Sequence, residues 1–409
     1  MAKKIKQKIE KTKPLVQENL DKIKKIKIRV IGIGGGGGTI VSEIASQISK
    51  VSFVVANTDL QALKTINKKV ECFHFGENLT RGFGTGARVD LGREAAQRER
   101  EKIKKLCQGY DLCIIVACLG GGTGTGAAPV FAKISKSLGN ITYGIFTLPF
   151  KFEGEKKIEM AKDSLKNIKN YLDAITVIPN EKIFQVVDRT IPIKQAFSVI
   201  NKGLSQSLEG LINTVCEPGL INIDFADLKT IFYSKGKLTY LNQVEVLRKK
   251  EDKEGAEIKS LIDQVLASPF YPYTIKGARG VLFNISGEGT LSLAEVNQIS
   301  KKISELVSPE AKIVFGINEK KRENGFVGIS LLAVGCEPVK KPQPIQKLKK
   351  KKNINKISQK TNLNDSERPR KNGLQIKSEV QELEKEMLEQ EKFWEAPAFL
   401  RRKLTKEDS

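Results

Sequence analysis

The sequence predicts an α/β protein whose main domain is a doubly wound parallel sheet. From Lys27 to Pro179, short apolar runs alternate with stretches of helical periodicity. The apolar runs are nearly continuous, as in strands that are buried on both faces of a parallel sheet. Glycine-rich turns follow several of these runs, as expected where a strand passes into a helix. Together these observations predict an open sheet with helices on both faces.

The first domain should contain six strands, with helices between them. The expected strands are Ile28–Ile33, Val51–Asn57, Val70–Phe75, Leu112–Leu119, Thr142–Pro149 and Ala174–Ile178. The expected helices include Ser42–Ser49, Arg88–Cys107, Ala127–Leu138 and Glu155–Tyr171. A long amphipathic stretch, Pro192–Val215, follows and stops at the breaker Glu217-Pro218-Gly219.

A second, smaller α+β domain and a disordered tail should complete the chain. Expected strands are Leu238–Leu247, Gly280–Ile285, Ile313–Ile317 and Gly325–Val334, with helices at Gly255–Ala267 and Ser292–Val307. The predicted divisions are a basic arm (1–26), a nucleotide-binding domain (27–191), a linking helix (192–216), the second domain (217–337), a disordered linker (338–378), a short charged helix (379–392) and a partner-binding peptide (393–409).

The net charge of +23 is concentrated near the two ends of the chain. Residues 1–29 carry eleven Lys or Arg against three acids, and residues 340–352 carry seven lysines and no acid. Such arms favour solubility or weak contact with nucleic acid, acidic lipid or acidic proteins. A plain solvated tail explains them equally well.

Cysteine and histidine usage excludes several classes of site. The six cysteines include no CxxC pair, so no disulfide framework is implied and a reducing cytoplasm is expected. His74 is the single histidine, which excludes Ser-His-Asp catalysis and a zinc site built on several histidines. No apolar run approaches the ~20 residues that span a bilayer. The N-terminus lacks the apolar core of a signal peptide.

Three glycine-rich loops predict a phosphate site. The first, Gly32–Gly38 (GIGGGGG), matches the GxGxxG dinucleotide pattern. A tight turn without ligand is the alternative, but five consecutive glycines exceed what a turn needs. The second, Gly120–Gly126 (GGGTGTG), adds two threonine hydroxyls to the backbone N–H groups of a helix start, which suits a di- or triphosphate. The third is Gly82–Ala87 (GFGTGA), and no GxxxxGK[ST] motif occurs. A nucleotide should therefore lie across the carboxyl edge of the sheet.

The second loop resembles the signature of the tubulin and FtsZ family. Further segments that match the family are Asn57-Thr58-Asp59, Pro149–Gly154, Ile178-Pro179-Asn180 and Asn222–Asp227. The resemblance covers about residues 26–337 and the last dozen residues. Chain length and the C-terminal peptide resemble the FtsZ branch more than tubulin. The resemblance implies a GTPase that uses GTP and Mg²⁺ and assembles head to tail into the filaments of the bacterial division ring.

The resemblance also implies which residues hold the nucleotide. The glycine loops should hold phosphates, Asn57 and Asp59 should lie near the phosphates and metal, Glu153 near the ribose, and Asn180 and Phe197 near the base. The full expected set is Gly35, Gly36, Gly37, Gly38, Thr39, Asn57, Asp59, Gly84, Gly86, Gly120, Gly121, Gly122, Thr123, Gly124, Thr125, Gly126, Glu153, Lys157, Asn180, Phe197, Asn201 and Lys202. We assign no residue as a protein metal ligand.

Two carboxylates three residues apart, Asp224 and Asp227, begin a predicted helix and share one face of it. Capping of the helix would explain one of them, at ~1 kcal/mol. It would leave Asn222 and Asp227 without a role. The resemblance implies that these three residues act on the nucleotide of a neighbouring subunit, where the aspartates orient and polarise the attacking water.

Four positions depart from the family pattern. Thr39 replaces Asn, Arg88-Val89 replaces Asn-Pro, Lys157 replaces Arg, and Asn201-Lys202 replaces Asn-Asp. The missing Asp would accept from N1–H and N2–H₂ of guanine, whereas lysine has no acceptor. We therefore expect weaker base selectivity, in a divergent member of the family or a second copy with a specialised role.

The chain ends with exposed aromatic residues that predict a docking peptide. Phe393, Trp394, Phe399 and Leu400 are large apolar groups with no core to join, and Arg401–Lys403 follow them. The segment Trp394–Arg402 resembles the tail motif of the FtsZ branch. Residues 393–403 should bind a membrane-tethering division partner and recruit the chain to the inner face of the membrane. Two alternatives stay open: a related filament protein for DNA segregation or cell shape, and an NAD-dependent Rossmann oxidoreductase, which explains neither GGGTGTG nor the Asp pair.

Overall fold

The computed structural model describes residues 26–188, 190–217, 219–233, 237–247, 256–287, 291–319 and 326–338. The basic arm, the linker, the charged helix and the C-terminal peptide lie outside these residues. The described part forms one ten-stranded sheet with helices on both faces.

The strands lie close to their predicted positions. They are β1 (Ile28–Ile33), β2 (Ser52–Asn57), β3 (Glu71–His74), β4 (Leu112–Cys118), β5 (Ile141–Leu148), β6 (Ala174–Pro179), β7 (Lys237–Leu247), β8 (Gly280–Gly287), β9 (Lys312–Glu319) and β10 (Phe326–Val334). Their order across the sheet is β3-β2-β1-β4-β5-β6-β7-β10-β8-β9. The first six strands pair in parallel, which confirms the doubly wound arrangement.

The α-helices cover both faces of this sheet. They are α1 (Gly34–Ile44), α2 (Leu60–Lys64), α3 (Glu77–Thr80), α4 (Val89–Arg98), α5 (Arg100–Cys107), α6 (Gly122–Ser137), α7 (Glu155–Ile168), α8 (Ile193–Cys216), α9 (Phe225–Phe232), α10 (Ala256–Leu266) and α11 (Leu293–Leu306). Short 3₁₀ turns lie at Lys151–Glu153, Lys169–Tyr171 and Asn180–Gln185. Strand β4 is buried along nearly its whole length, because helices cover it on both faces.

The sheet is narrowest at the junction of β6 and β7. These strands pair in parallel through Ala174–Lys237 and Ile175–Leu238 alone, whereas β7 pairs antiparallel with β10 from Thr239–Val334 to Leu247–Phe326. The long helix α8 lies across this junction. Its Asn201 bonds to Glu43 of α1, and a Cβ built on its Gly210 would lie 2.0 Å from the Gln243 side chain of β7. The helix therefore contacts β7 directly and the first six strands by way of α1, which packs on β1, β2 and β4.

Two helix predictions were wrong, and a third helix begins earlier than predicted. The expected Ser42–Ser49 helix is instead Gly34–Ile44, so it ends before most of the predicted residues and the glycine run itself forms the start of α1. Glycine disfavours helix by about 1 kcal/mol per residue. Here it allows close packing: a Cβ on Gly36 would lie 2.5 Å from Cys118 Sγ, and one on Gly37 2.5 Å from the Val116 carbonyl oxygen.

The second wrong prediction is the single helix over Arg88–Cys107. It is interrupted at Glu99, whose φ of −97° and ψ of 19° leave the helical region, and α4 and α5 lie on either side. In the same way, α6 begins at Gly122 inside the GGGTGTG loop rather than at Ala127.

Candidate functional site

The ends of β1, β4, β5 and β6 meet at the carboxyl edge of the sheet, where they surround a cavity of about 550 Å³. Its lining includes thirteen of the predicted site residues: Gly35, Gly36, Thr39, Gly120, Gly121, Gly122, Thr123, Gly124, Glu153, Lys157, Asn180, Phe197 and Asn201. The structure thus brings together the first two glycine loops and three separate polar segments.

Two helix N-termini open on this cavity. Helix α1 starts at Gly34 and α6 at Gly122, and neither has a side chain that caps its first turn. The free N–H groups of a first turn, together with the positive end of the helix dipole, make a site for an anion. A Cβ built on Gly35 or Gly121 would meet no protein atom within 4 Å. These two glycines therefore leave open space for a ligand, whereas Gly36 and Gly37 are required for packing.

Two loop glycines are fixed by backbone conformation. Gly34 has φ +75° and Gly120 has φ +103°, values that disfavour any residue with a Cβ. Each begins the turn from its strand into the following helix. The amide N–H of Gly120 donates to Thr125 Oγ1 at 2.9 Å, so this buried hydroxyl holds the second loop in shape. Thr125 therefore stabilises the loop through this bond, and it does not line the cavity.

A cluster of three buried threonines joins the glycine loops to the Asn57-Thr58-Asp59 segment. Thr123 Oγ1 lies 2.7 Å from Thr58 Oγ1 and 3.3 Å from Thr85 Oγ1. Thr85 lines the cavity, and sequence reasoning missed it although it stands between Gly84 and Gly86 in the third loop. The cluster fixes the three segments relative to one another.

Asn57 and Asp59 shape the backbone beside this cluster. Asn57 Oδ1 accepts from the N–H groups of Thr58 at 2.8 Å and Asp59 at 3.3 Å. Asp59 Oδ1 caps α2 by accepting from Gln61 N at 2.8 Å. Neither residue lines the cavity, and the same is true of Gly37, Gly38, Gly84, Gly86, Thr125, Gly126 and Lys202.

One wall of the cavity carries an ion pair and an aromatic group. Glu153 accepts from Phe150 N at 2.9 Å and from Lys157 Nζ at 3.0 Å. Phe197 packs edge-on against Phe150, with ring centroids 5.7 Å apart. A lysine, two helix dipoles and an aromatic ring around one cavity suit a molecule with anionic and planar parts.

Cys118 lines the cavity beneath the first loop. Desolvation of its side chain raises the pKa of the thiol to about 11. The thiol therefore stays protonated near neutral pH and adds no negative charge to the anion site. Among the described residues, no group of three or more His, Cys, Asp or Glu could hold a metal ion.

Sequence reasoning also missed several polar lining residues. Glu43, Lys194 and Ser198 line the cavity, from α1 and the first turns of α8. Only the packing of these two helices against each other identifies them. Lys202, predicted to face the base, is exposed outside the lining.

The predicted catalytic residues do not line this cavity. Asn222 and Asp224 lie in the loop before α9, and Asp227 lies in the first turn of that helix. Asp224 Oδ1 caps α9 by accepting from Asp227 N at 2.7 Å. Asn222 Oδ1 accepts from Gly219 N at 2.5 Å, and Asp227 lies 3.7 Å from Lys312 Nζ. Each of the three therefore has a local contact, contrary to the expectation that only one would. No described residue beyond Asn201 lines the cavity.

Comparison with known proteins identifies the family. The family model described as the Tubulin/FtsZ family, GTPase domain, matches residues 27–188, and the model for the FtsZ family C-terminal domain matches residues 249–337. The chain is 39% identical over 293 residues to a cell division protein FtsZ of Coxiella burnetii, a match that covers 71% of this chain and 74% of that protein.

Solved structures agree with this assignment. An empty FtsZ dimer from M. jannaschii matches with a TM-score of 0.68 and 34% identity, covering 79% of this chain and 93% of that one. CetZ2 of Haloferax volcanii, solved as a GTPγS-bound protofilament, has a TM-score of 0.65 at 20% identity over 76% and 94% of the two chains, and shares the fold. These matches exclude the NAD-dependent oxidoreductase. The chain belongs to the Tubulin/FtsZ family and is a guanine-nucleotide-binding GTPase of its FtsZ branch.

Proposed function

We propose that the protein assembles head to tail into filaments for cell division and hydrolyses GTP at the contacts between subunits. The observation that carries this proposal is that two half-sites, the cavity with its glycine loops and the acidic loop with Asp224 and Asp227, lie apart within one chain. The cavity offers phosphate-binding loops, and the acidic residues Asp224 and Asp227 belong to a different surface. A neighbouring subunit could bring the acids to the phosphates.

Exposed apolar side chains beside each half-site support such a contact. Near the acidic loop, Leu220, Leu293 and Phe315 line a shallow apolar pocket, and Leu293 is 85% exposed. Near the cavity, Phe83 of the third loop is 82% exposed and Phe152 is 68% exposed. Large exposed apolar groups are typical of interaction surfaces. Two different surfaces on one chain make a head-to-tail contact, which repeats into a filament unless it closes into a ring.

The residues divide the chemistry between the two subunits. The N–H groups of Gly35 and Gly121 would bind phosphate oxygens, and Lys157 would add positive charge. Asp224 and Asp227 of the neighbour would orient a water molecule for attack on the γ-phosphate, since phosphoryl transfer depends mainly on positioning and charge stabilisation. Asn222 would hold the acidic loop in place through Gly219.

The described residues include no group of three or more His, Cys, Asp or Glu side chains that could hold a metal ion. We expect Mg²⁺ to bind mainly through the phosphates of the nucleotide. Asp59, beside the third loop, is the acidic residue that we expect on the phosphate side. Mg²⁺ supplies neutralisation of the phosphate charge when it is bound.

Complementation between two inactive variants tests catalysis across the contact. Asp227→Ala should bind GTP and fail to hydrolyse it. Gly121→Val should block the cavity while keeping the acidic loop. We expect neither variant alone to hydrolyse GTP and their mixture to regain activity, measured as phosphate release.

Two controls separate catalysis from structure. Lys312→Met breaks the ion pair of Asp227 and keeps the carboxylate, and exposed pairs of this kind contribute little to stability. Asp263→Ala removes an exposed carboxylate from α10. Both controls should hydrolyse GTP. A mixture that stays inactive, although both variants enter filaments with wild-type protein, would contradict catalysis by the neighbour.

The C-terminal peptide 393–403 lies outside the described residues, and its binding to a membrane-tethering partner is part of this proposal. Within the described part of the chain, no helix is long and apolar enough to cross a membrane. Recruitment to the division site at the inner face of the membrane would therefore depend on such a partner. The basic arms, also outside the described residues, could add weak contact with acidic lipid or nucleic acid.

A further inference from the structure

One carboxylate of the cavity has no role in the function described so far. Glu43 lies on α1 and lines the cavity two helical turns beyond the glycine start of that helix. Its Oε2 accepts from Asn201 Nδ2 of α8 at 2.8 Å, and Asn201 is only 5% exposed. The pair therefore forms a fixed polar wall between the two helices.

The other oxygen of Glu43 is available to a ligand. The acidic side chains that line the cavity within the described residues are Glu43 and Glu153. Both oxygens of Glu153 are occupied, by Phe150 N and Lys157 Nζ. Glu43 Oε1 has no hydrogen-bond partner in the described part of the chain. Glu43 is thus the lining carboxylate with an unoccupied acceptor.

The position of Glu43 matches the base of a nucleotide whose phosphates lie at the glycine loops. At 1.5 Å per residue, the helix places Glu43 about 12 Å along its axis from Gly35. Asn201 and Phe197 line the cavity from the facing helix α8. A purine ring at this end would lie beside an aromatic side chain and the Glu43–Asn201 pair.

The hydrogen-bonding groups of this pair discriminate between purines. Because Asn201 donates its amide N–H to Glu43, its Oδ1 is left as an acceptor beside the carboxylate. Guanine presents two adjacent donors, N1–H and N2–H₂, which match acceptors. Adenine presents an acceptor at N1, which a carboxylate would repel.

We propose that Glu43, held by Asn201, reads the guanine base in this protein. The proposal rests on the guanine-nucleotide site described above and names its base-selecting residue. The family pattern has an aspartate at the position of Lys202, and Glu43 of α1 would supply the missing carboxylate from a different helix. The proposal therefore reverses the expectation from Lys202 alone: the wild-type protein should prefer GTP strongly over ATP.

Glu43→Gln is a sharp test because glutamine keeps one acceptor. Its amide oxygen can still accept from Asn201, so the wall between α1 and α8 is preserved. Its NH₂ group would then face the base and oppose the donors of guanine. Affinities for GTP, ITP and ATP would be measured by titration calorimetry on the full chain, and folding would be checked by urea unfolding. Glu101→Gln, on the exposed face of α5, is a matched control for the loss of one carboxylate.

We expect the GTP-to-ATP affinity ratio to fall about tenfold or more in Glu43→Gln, as for the loss of a charge-assisted hydrogen bond. The GTP-to-ITP ratio should also fall, because ITP lacks the N2–H₂ donor. Glu43→Asp, which keeps the charge one methylene further away, should give intermediate ratios, and Glu101→Gln should match wild type.

Three results separate this inference from the proposed function. Wild-type protein that binds none of the three nucleotides would contradict the proposed function itself. Wild-type protein that binds GTP and ATP equally would contradict the role of Glu43. Ratios that stay at the wild-type value in both Glu43 variants would contradict it as well, and would leave the GTPase assignment intact.

Discussion

Gly35→Ala should strengthen the fold and weaken nucleotide binding. Gly35 lies in the first turn of α1, and a Cβ at this position meets no protein atom within 4 Å. Alanine is favoured over glycine in helices, so the unfolding free energy without nucleotide should rise by about 0.5–1 kcal/mol. The same methyl group would project into the cavity, where we propose that phosphate oxygens approach the backbone.

The expected loss of GTP affinity follows from the hydrogen bond between the Gly35 N–H and a phosphate oxygen that the methyl group would displace. A hydrogen bond to a charged group contributes about 1.5–3 kcal/mol, so the affinity for GTP should fall about tenfold or more. Urea unfolding without nucleotide and titration calorimetry with GTP measure the two effects separately. A stabilised protein with impaired binding would identify Gly35 as a position whose lack of a side chain serves the ligand.

Gly37→Ala is the matched control. Its Cβ would lie 2.5 Å from the Val116 carbonyl oxygen, inside contact distance with backbone that cannot move away easily. Such overpacking costs about 1–3 kcal/mol, so this variant should unfold more readily. Equal destabilisation by both substitutions would refute the division between packing and ligand-facing glycines. Wild-type GTP affinity in Gly35→Ala would refute the phosphate site at α1.

Two further predictions concern Cys118 and the C-terminal peptide. The rate of Cys118 alkylation, followed by peptide mass spectrometry, should rise about tenfold per pH unit from pH 7 to 9 without a plateau, because the pKa of the thiol is raised to about 11. Bound GTP should slow the reaction. A plateau below pH 8, or no protection by GTP, would contradict this prediction. Deletion of residues 393–409 should leave filament formation and GTP hydrolysis nearly unchanged and abolish recruitment to membranes that carry the partner; normal localisation of the truncated protein in cells would instead favour a role in DNA segregation or cell shape.

The strands and the glycine-rich turns that follow them could be predicted because their signals are local. An apolar run such as Leu112–Cys118 reflects burial on both faces, and the loop of Gly120–Gly126 is a continuous motif. The start of α1 could not be predicted in this way. Its glycines disfavour helix by themselves, and the close approach of Gly36 and Gly37 to β4, which leaves no room for a Cβ, arises only in the folded chain.

The end of the cavity that Glu43 and Asn201 line depends on contacts between distant segments of the chain. Glu43 and Asn201 are 158 positions apart in the chain, and no pattern in either segment indicates that they bond. Thr58, Thr85 and Thr123 likewise meet only in the folded chain. The expected role of Lys202 came from resemblance to a family motif, which compares one position at a time and does not detect a carboxylate that another helix brings to the same cavity, such as Glu43 of α1.

The narrow pairing between β6 and β7 has a mechanical consequence. Backbone pairing is limited there to Ala174–Lys237 and Ile175–Leu238, and side chains make further bonds across the junction: Thr176 Oγ1 donates to the Thr239 carbonyl oxygen, and the Tyr273 hydroxyl bridges Val177 N and the same carbonyl oxygen. We expect a bending load to deform the sheet first along this line, where backbone pairs are fewest. Helix α8 contacts α1 as well as β7, so it links the two halves of the sheet across this line. Strain in a curved filament would therefore reach Asn201, which lies on that helix, and with it the end of the cavity where we propose that the base binds.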